Sequence, residues 1–240
     1  MKIFVDVDTQ VDLCFKYSEL APVGADRVLA KCEDLVNFAV KRNHLIFGSV
    51  ETHDFDSWVF KNSTEQPWSD RTKPNLPVHC LKGTNGWLKV HETMVRKTLV
   101  VPNVILSDND DLKKLSEKLA HPNLQSVVFE KEHNSMFTNP NTAAVLYSVI
   151  NKKSVLDIDK AVTPLELGNL GVEFLVFGGG RFVNETAGQL HKWIQTFIKN
   201  PTTATITLVR DCILESDQTT KVKTLLELGI TQTTSNQIVT

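Results

Sequence analysis

No apolar run in this chain approaches the ~18 residues that a membrane-spanning helix needs, so no such span is expected. Met1-Lys2 leads straight into a short apolar strand pattern, without the longer apolar core of a secretion signal, so no signal peptide is expected. An excess of either charge is also missing. Lys and Arg number 26 against 28 Asp and Glu, and a net charge of −2 gives no electrostatic footprint for nucleic acid or an anionic membrane surface. Cysteine is scarce, and Cys14, Cys32, Cys80 and Cys212 have neither CxxC spacing nor a framework pattern. Reduced thiols and a cytoplasmic location are the expectation. Repeats, linkers and low-complexity segments are absent too.

What is present suits one large α/β domain over residues 1–240, with enough apolar residues (41%) to build a core without disulfides or metal. Five short apolar runs read as buried strands: Ile3–Val7, Leu45–Val50, Ser126–Phe129, Glu173–Phe177 and Thr205–Val209. They are continuous rather than alternating, as strands covered on both faces of a parallel sheet should be. Between them lie helical stripes. Val28, Leu29, Cys32, Leu35, Val36, Ala39 and Val40 form one after Asp26, and Leu112, Leu115 and Leu119 a second. Val145, Leu146, Val149 and Ile150 mark a third; Ala187, Leu190, Ile194, Phe197 and Ile198 a fourth; Val222, Leu225 and Leu226 a fifth. Strand–helix alternation implies right-handed crossovers and a three-layer, doubly wound sheet of mostly parallel strands, five or six in number. The stretch from Glu51 to about Val101 breaks the rhythm. It holds three of the four tryptophans, and so long a loop inside a compact domain points to function.

Ligands of open α/β sheets bind beyond the carboxyl ends of the strands. Four polar clusters fall at such ends: Asp6 to Asp12, Glu51-Thr52-His53, Glu130 to Ser135, and Gly178 to Phe182. These clusters carry a resemblance. Asp8-Thr9-Gln10-Val11-Asp12-Leu13-Cys14, followed by Leu20 to Asp26, resembles the opening of the nicotinamidases, within the isochorismatase-like hydrolases. His79-Cys80-Leu81-Lys82-Gly83-Thr84-Asn85-Gly86 is similar to the HCxxGTxG segment of that family, and Lys131 to Phe137 to its KxxxSxF motif. Val183 to Ala187 resembles the start of the helix that follows its nucleophile, and the tail from Lys221 to Val239 is similar as well.

The resemblance implies an Asp–Lys–Cys triad in which a thiolate attacks an amide carbonyl, the Asp takes the proton and the Lys keeps the Asp ionised. Asp8 and Lys131 match the first two members, and Phe182 stands where the cysteine belongs. It also implies a divalent ion (zinc, iron or manganese) on Glu51, His53 and His79, with Ser57 at the position of a further family ligand. His44, His91, His121, His133 and His191 lack such spacing and read as solvated. The positions that stack on a nicotinamide ring in the family are Leu13, Thr52 and Arg181 here, none aromatic. Phe55 and Trp58 are alternative pocket residues, with core packing the competing reading for each. Gly178 to Gly180 follow a strand and precede a helix, but without GxGxxG no nucleotide cofactor is expected; Gly180 and Arg181 suit a small carboxylate instead. Two functions stay open. One is a hydrolase acting on a small molecule without a cysteine, as isochorismatases do with their Asp as an acid on an enol ether. The other is an inactive relative that binds a small carboxylate, a metal or a protein partner. Assembly into a homo-oligomer is left open.

Overall fold

The computed structural model describes residues 1–61, 76–157, 171–179, 182–214 and 224–240. Strands β1 (Lys2–Val7), β2 (Leu45–Glu51), β3 (Thr98–Val101), β4 (Ser126–Lys131), β5 (Val172–Gly178), β6 (Ala204–Ile213) and β7 (Thr231–Thr233) form one sheet in the order β3-β4-β2-β1-β5-β6-β7. Every pairing is parallel. The helices are α1 (Val11–Cys14), α2 (Ala25–Lys41), α3 (Asn109–Leu119), α4 (Thr142–Asn151), α5 (Val183–Phe197) and α6 (Ser235–Val239), with residues 224–227 also helical.

The continuous apolar runs are explained by the two cores they feed. Ile3, Val5, Phe47, Val127, Phe129, Phe174 and Val176 pack on one face against Leu115 of α3, Val145 and Leu146 of α4, and Leu190 and Ile194 of α5. Phe4, Ile46, Leu175 and Phe177 point to the other face and meet Cys32, Leu35, Val36 and Ala39 of α2, with Ile238 of α6 beside them. Both neighbours of each period-2 pattern are thus buried, and alternation disappears.

Among the described residues the sheet has seven strands, not five or six. The two unforeseen ones explain themselves: β7 reads Thr-Gln-Thr and β3 only Thr-Leu-Val-Val, and both lie at the sheet's edges. An edge strand has one neighbour and a partly wet face, so it needs no long apolar run. The expected fifth helix survives as residues 224–227, while Val222 lies outside the described residues.

Gly178 and Gly179 bring β5 hard against β1. Gly178 has φ +129°, and a Cβ there would stand 2.3 Å from the Val7 carbonyl oxygen. One on Gly179 would stand 2.5 Å from Cys14 Sγ and 2.8 Å from the Asp8 oxygen. Close backbone approach therefore accounts for these two glycines without a ligand. Among the described residues no helix is long and apolar enough to cross a membrane.

Candidate active site

Three adjacent strand ends build the site. Beyond β1, Asp8 takes a left-handed conformation (φ 49°), one that Asp tolerates better than most residues. Its amide donates to the Ser49 carbonyl on β2 at 3.2 Å, its Oδ1 accepts from Ser49 Oγ at 2.8 Å, and its Oδ2 lies 2.8 Å from Lys131 Nζ at the end of β4. Asp8 and Lys131 are both fully buried, and neither Oδ2 nor Nζ has a further hydrogen-bond partner among the described residues. The Phe182 ring, 7% exposed at the head of α5, stands 4.9 Å from that ammonium.

Glu51 ends β2 opposite Lys131 in register. Gln10 grips its backbone: the amide side chain donates to Glu51 O (2.8 Å), and Glu51 N donates to Gln10 Oε1 (2.6 Å). His53 is paired through its backbone with the segment that carries His79, by bonds from His53 N to Cys80 O (3.1 Å) and from Lys82 N to His53 O (2.9 Å). Asp12 holds that segment by accepting from Cys80 N at 2.8 Å. The result is a convergent group. His53 Nε2 lies 3.4 Å from Glu51 Oε1 and His79 Nε2 lies 3.6 Å from Oε2. One ligand atom from each residue falls within 4.8 Å of the others, and all three residues are buried.

Among the described residues, two buried carboxylates, Asp8 and Glu51, share one ammonium, that of Lys131. An unbalanced buried negative charge is costly and calls for a proton or a cation. Burial pushes the Asp8 carboxyl up, against the pull of Lys131, and the nearby Glu51 adds to the rise. Glu51 is well below its ordinary value: burial raises it, but Lys131 and the two histidines more than reverse this. Burial alone would lower His79, yet Glu51 and the Pro77 carbonyl raise it overall. Glu51 Oε2 and His53 Nε2 have no hydrogen-bond partner among the described residues. A carboxylate and two imidazoles with orphaned, convergent atoms fit a divalent ion of the zinc, iron or manganese kind.

No thiol takes the missing place among the described residues. Cys14 Sγ is spent on the Asp8 carbonyl at 3.7 Å, and burial pushes its thiol far up. Burial also raises Cys80, where the carboxylates of Glu51, Asp8 and Asp12 outweigh Lys131. A thiol in such surroundings stays protonated and unreactive.

The remaining expected residues divide. Trp58 is partly buried and its ring lies 6.1 Å from that of His133. Phe55 is 86% exposed, which overturns the core reading for it; it lies on the surface of the loop beyond His53. Leu13 is buried with Cys14, Ala25 and Leu29, between α1 and α2. Gly180 and Arg181 lie outside the described residues. His44, His133 and His191 correct the solvated reading, being half-buried, and His44 stacks on Phe4 at 5.7 Å. Sequence reasoning passed over Phe60, which stands edge-on to the imidazoles of both His53 and His79 at 5.4 and 5.5 Å. It also missed Lys89, which donates to Thr9 Oγ1 and pairs with buried Asp6 at 2.8 Å, tying its loop to β1. A lone phenylalanine and a lone lysine in an aperiodic loop carry no spacing signal.

No family model matches the chain, and no curated protein sequence matches it. Solved structures do. A pyrazinamidase of Pyrococcus horikoshii in complex with zinc superposes with a TM-score of 0.60 at 16% identity, over 97% of this chain and 98% of that one. An N-carbamoylsarcosine amidase from Thermoplasma acidophilum gives 0.56 at 14%, over 98% and 96%. An isochorismatase-like hydrolase from Alkaliphilus metalliredigens gives 0.54 at 12%, over 99% and 96%. Over nearly its whole length, then, this chain has the fold of the nicotinamidase/pyrazinamidase and isochorismatase-like hydrolases.

Proposed function

We propose that this protein is a small-molecule hydrolase of the isochorismatase-like kind that works without a thiol nucleophile. The observation that carries the reading is the sealed 2.8 Å Asp8–Lys131 ion pair beside the Glu51–His53–His79 group, at the edge where α/β sheets bind ligands. Asp8 is the proton carrier. Ser49 and Lys131 hold its two oxygens in one orientation, so a proton is given or taken at a set place. Lys131 balances the charge that Asp8 bears once the proton has left. Its N–H groups, without a further hydrogen-bond partner among the described residues, are donors for an oxygen of the substrate. Phe182 keeps an apolar ring on the ammonium and limits water there. Glu51, His53 and His79 would hold a divalent ion, and such an ion supplies Lewis-acid polarisation or an acidified water.

A second reading rests on Phe182. Its ring occupies the side of Lys131 where the resemblance puts a nucleophile, which suits a protein that binds a small carboxylate without turning it over.

A panel of small amides and enol ethers separates the two. Turnover of at least one compound, abolished in Asp8→Asn, is the expected result. Nicotinamide itself should release no ammonia at a meaningful rate, because losing a covalent nucleophile costs orders of magnitude. Ammonia from nicotinamide, lost in Asp8→Ala, would point to Cys80 or Cys14 as a displaced nucleophile. Inertness toward the whole panel, with small carboxylates still raising the melting temperature, would favour the second reading.

A further inference from the structure

We propose that Ser57 is a positioning residue that sets the tautomer of His53 so that its Nε2 is bare toward a cation; this rests on the reading of Glu51, His53 and His79 as a metal group. An imidazole binds a metal only through a nitrogen that carries a lone pair, and the partner of the other nitrogen decides which one that is. For His79 the matter is closed by the backbone. Its Nδ1 lies 2.8 Å from the Pro77 carbonyl oxygen, which can only accept, so Nδ1 bears the hydrogen and the neutral ring presents a bare Nε2.

Among the described residues His53 has no such carbonyl. Its Nδ1 faces Ser57 Oγ at 3.1 Å, and a hydroxyl can donate or accept. Were the serine to donate, the neutral ring would carry its hydrogen on Nε2, aimed at Glu51, and the three-residue group would close on itself. Two observations decide for the opposite arrangement. Ser57 has an acceptor for its own hydrogen, Glu132 Oε1 at 3.5 Å, which frees the hydroxyl lone pairs for Nδ1–H. And His53 Nε2, although 3.4 Å from Glu51 Oε1, makes no hydrogen bond there. Proton order therefore runs from His53 Nδ1 to Ser57 to Glu132, and both bare Nε2 atoms turn to the two oxygens of Glu51. Ser57 is buried at the position where the resemblance puts another ligand. In this chain that residue acts on the cation through His53, and three of the described residues, Glu51, His53 and His79, supply ligands.

The test uses the full chain stripped of metal. Zn²⁺ affinity is measured by competition with a chelating dye, and His53 is observed by its ring ¹⁵N shifts in the metal-free protein. Ser57→Ala should weaken Zn²⁺ about 10- to 100-fold, with the metal-free melting temperature little changed. Ser57→Thr, which keeps the hydroxyl, should retain affinity. Glu132→Ala, at a partly exposed position, removes that acceptor; it should weaken Zn²⁺ in the same direction and still decides the matter if Ser57→Ala fails to fold. Wild-type affinity in both Ser57→Ala and Glu132→Ala, or neutral His53 protonated on Nε2, would overturn the proposal. Failure of the wild type to bind Zn²⁺ would instead sink the metal reading, and this inference with it; the wild-type arm alone tells the two failures apart.

Discussion

At residue scale the site is a problem of charge in a dry place. Lys131 has no exposed surface, yet it is not a packing residue: among the described residues it is the one cation set against Asp8, at 2.8 Å, and it stands opposite Glu51 in register. Removing one partner of a buried pair leaves the other uncompensated. Lys131→Met is therefore expected to cost about 3–5 kcal/mol of stability, measured by urea unfolding at neutral pH. Adding Asp8→Asn to it should return part of that loss, because the stranded carboxylate is gone. A double mutant no more stable than Lys131→Met would mean that the pair is not coupled. Asp8 and Lys131 were legible as a pair from their flanking motifs. The tautomer of His53 was not, because it depends on Ser57 and Glu132, and Glu132 lies 75 positions from Ser57.

At the scale of elements, the short terminal helix shows how a three-residue edge strand and one turn of chain are held. Asp211 of β6 accepts from Ser235 N and Ser235 Oγ, both at 2.7 Å, and pairs with Lys31 of α2 at 3.3 Å. Gln237 closes a capping box with Thr234 at the same end of α6. Burial alone would raise the Asp211 carboxyl, but the two Ser235 bonds and Lys31 bring it below its ordinary 3.8. The sign follows. A carboxylate depressed in the folded state contributes stability that is present above its unfolded value and is lost as pH falls through the folded one. The docking of α6 should therefore hold at pH 5 and loosen below the ordinary Asp range, a change that Asp211→Asn should largely remove. Chemical shifts of Ser235 to Val239 followed through an acid titration would check this; an identical titration in Asp211→Asn would contradict it. Nothing in the periodicity foretold β7, since Thr231–Thr233 is polar and its partner is chosen by the sheet.

For the whole molecule, binding to the native state alone is read out as stability. A divalent ion held by Glu51, His53 and His79 should stabilise the fold by about 2.7 kcal/mol when free metal is 100 times its dissociation constant. Melting temperature should rise with Zn²⁺ or Mn²⁺, and His53→Ala should abolish the rise. An equal rise in His53→Ala would place the ion elsewhere. The large effect of so few side chains has a topological cause: β4, β2 and β1 are neighbours in the sheet but come from distant parts of the chain. Their carboxyl ends meet only once the sheet has formed.

The local pattern by itself determined the parallel α/β class, five of the seven strands and the principal helices. Continuous apolar runs and 3-4 stripes are properties of neighbouring residues, and burial on both faces leaves little freedom in how to read them. The ordered motifs also named Asp8, Lys131, Glu51, His53 and His79 as one site. Tertiary structure decided what those residues are to each other: that Phe182 covers Lys131, that Phe60 walls both imidazoles, that Gly178 and Gly179 serve a backbone contact, and that Cys14 and Cys80 are silenced by burial. Each of these depends on distances across the fold. Charge, proton order and burial are set by what stands within a few ångströms, and no spacing along the chain encodes that.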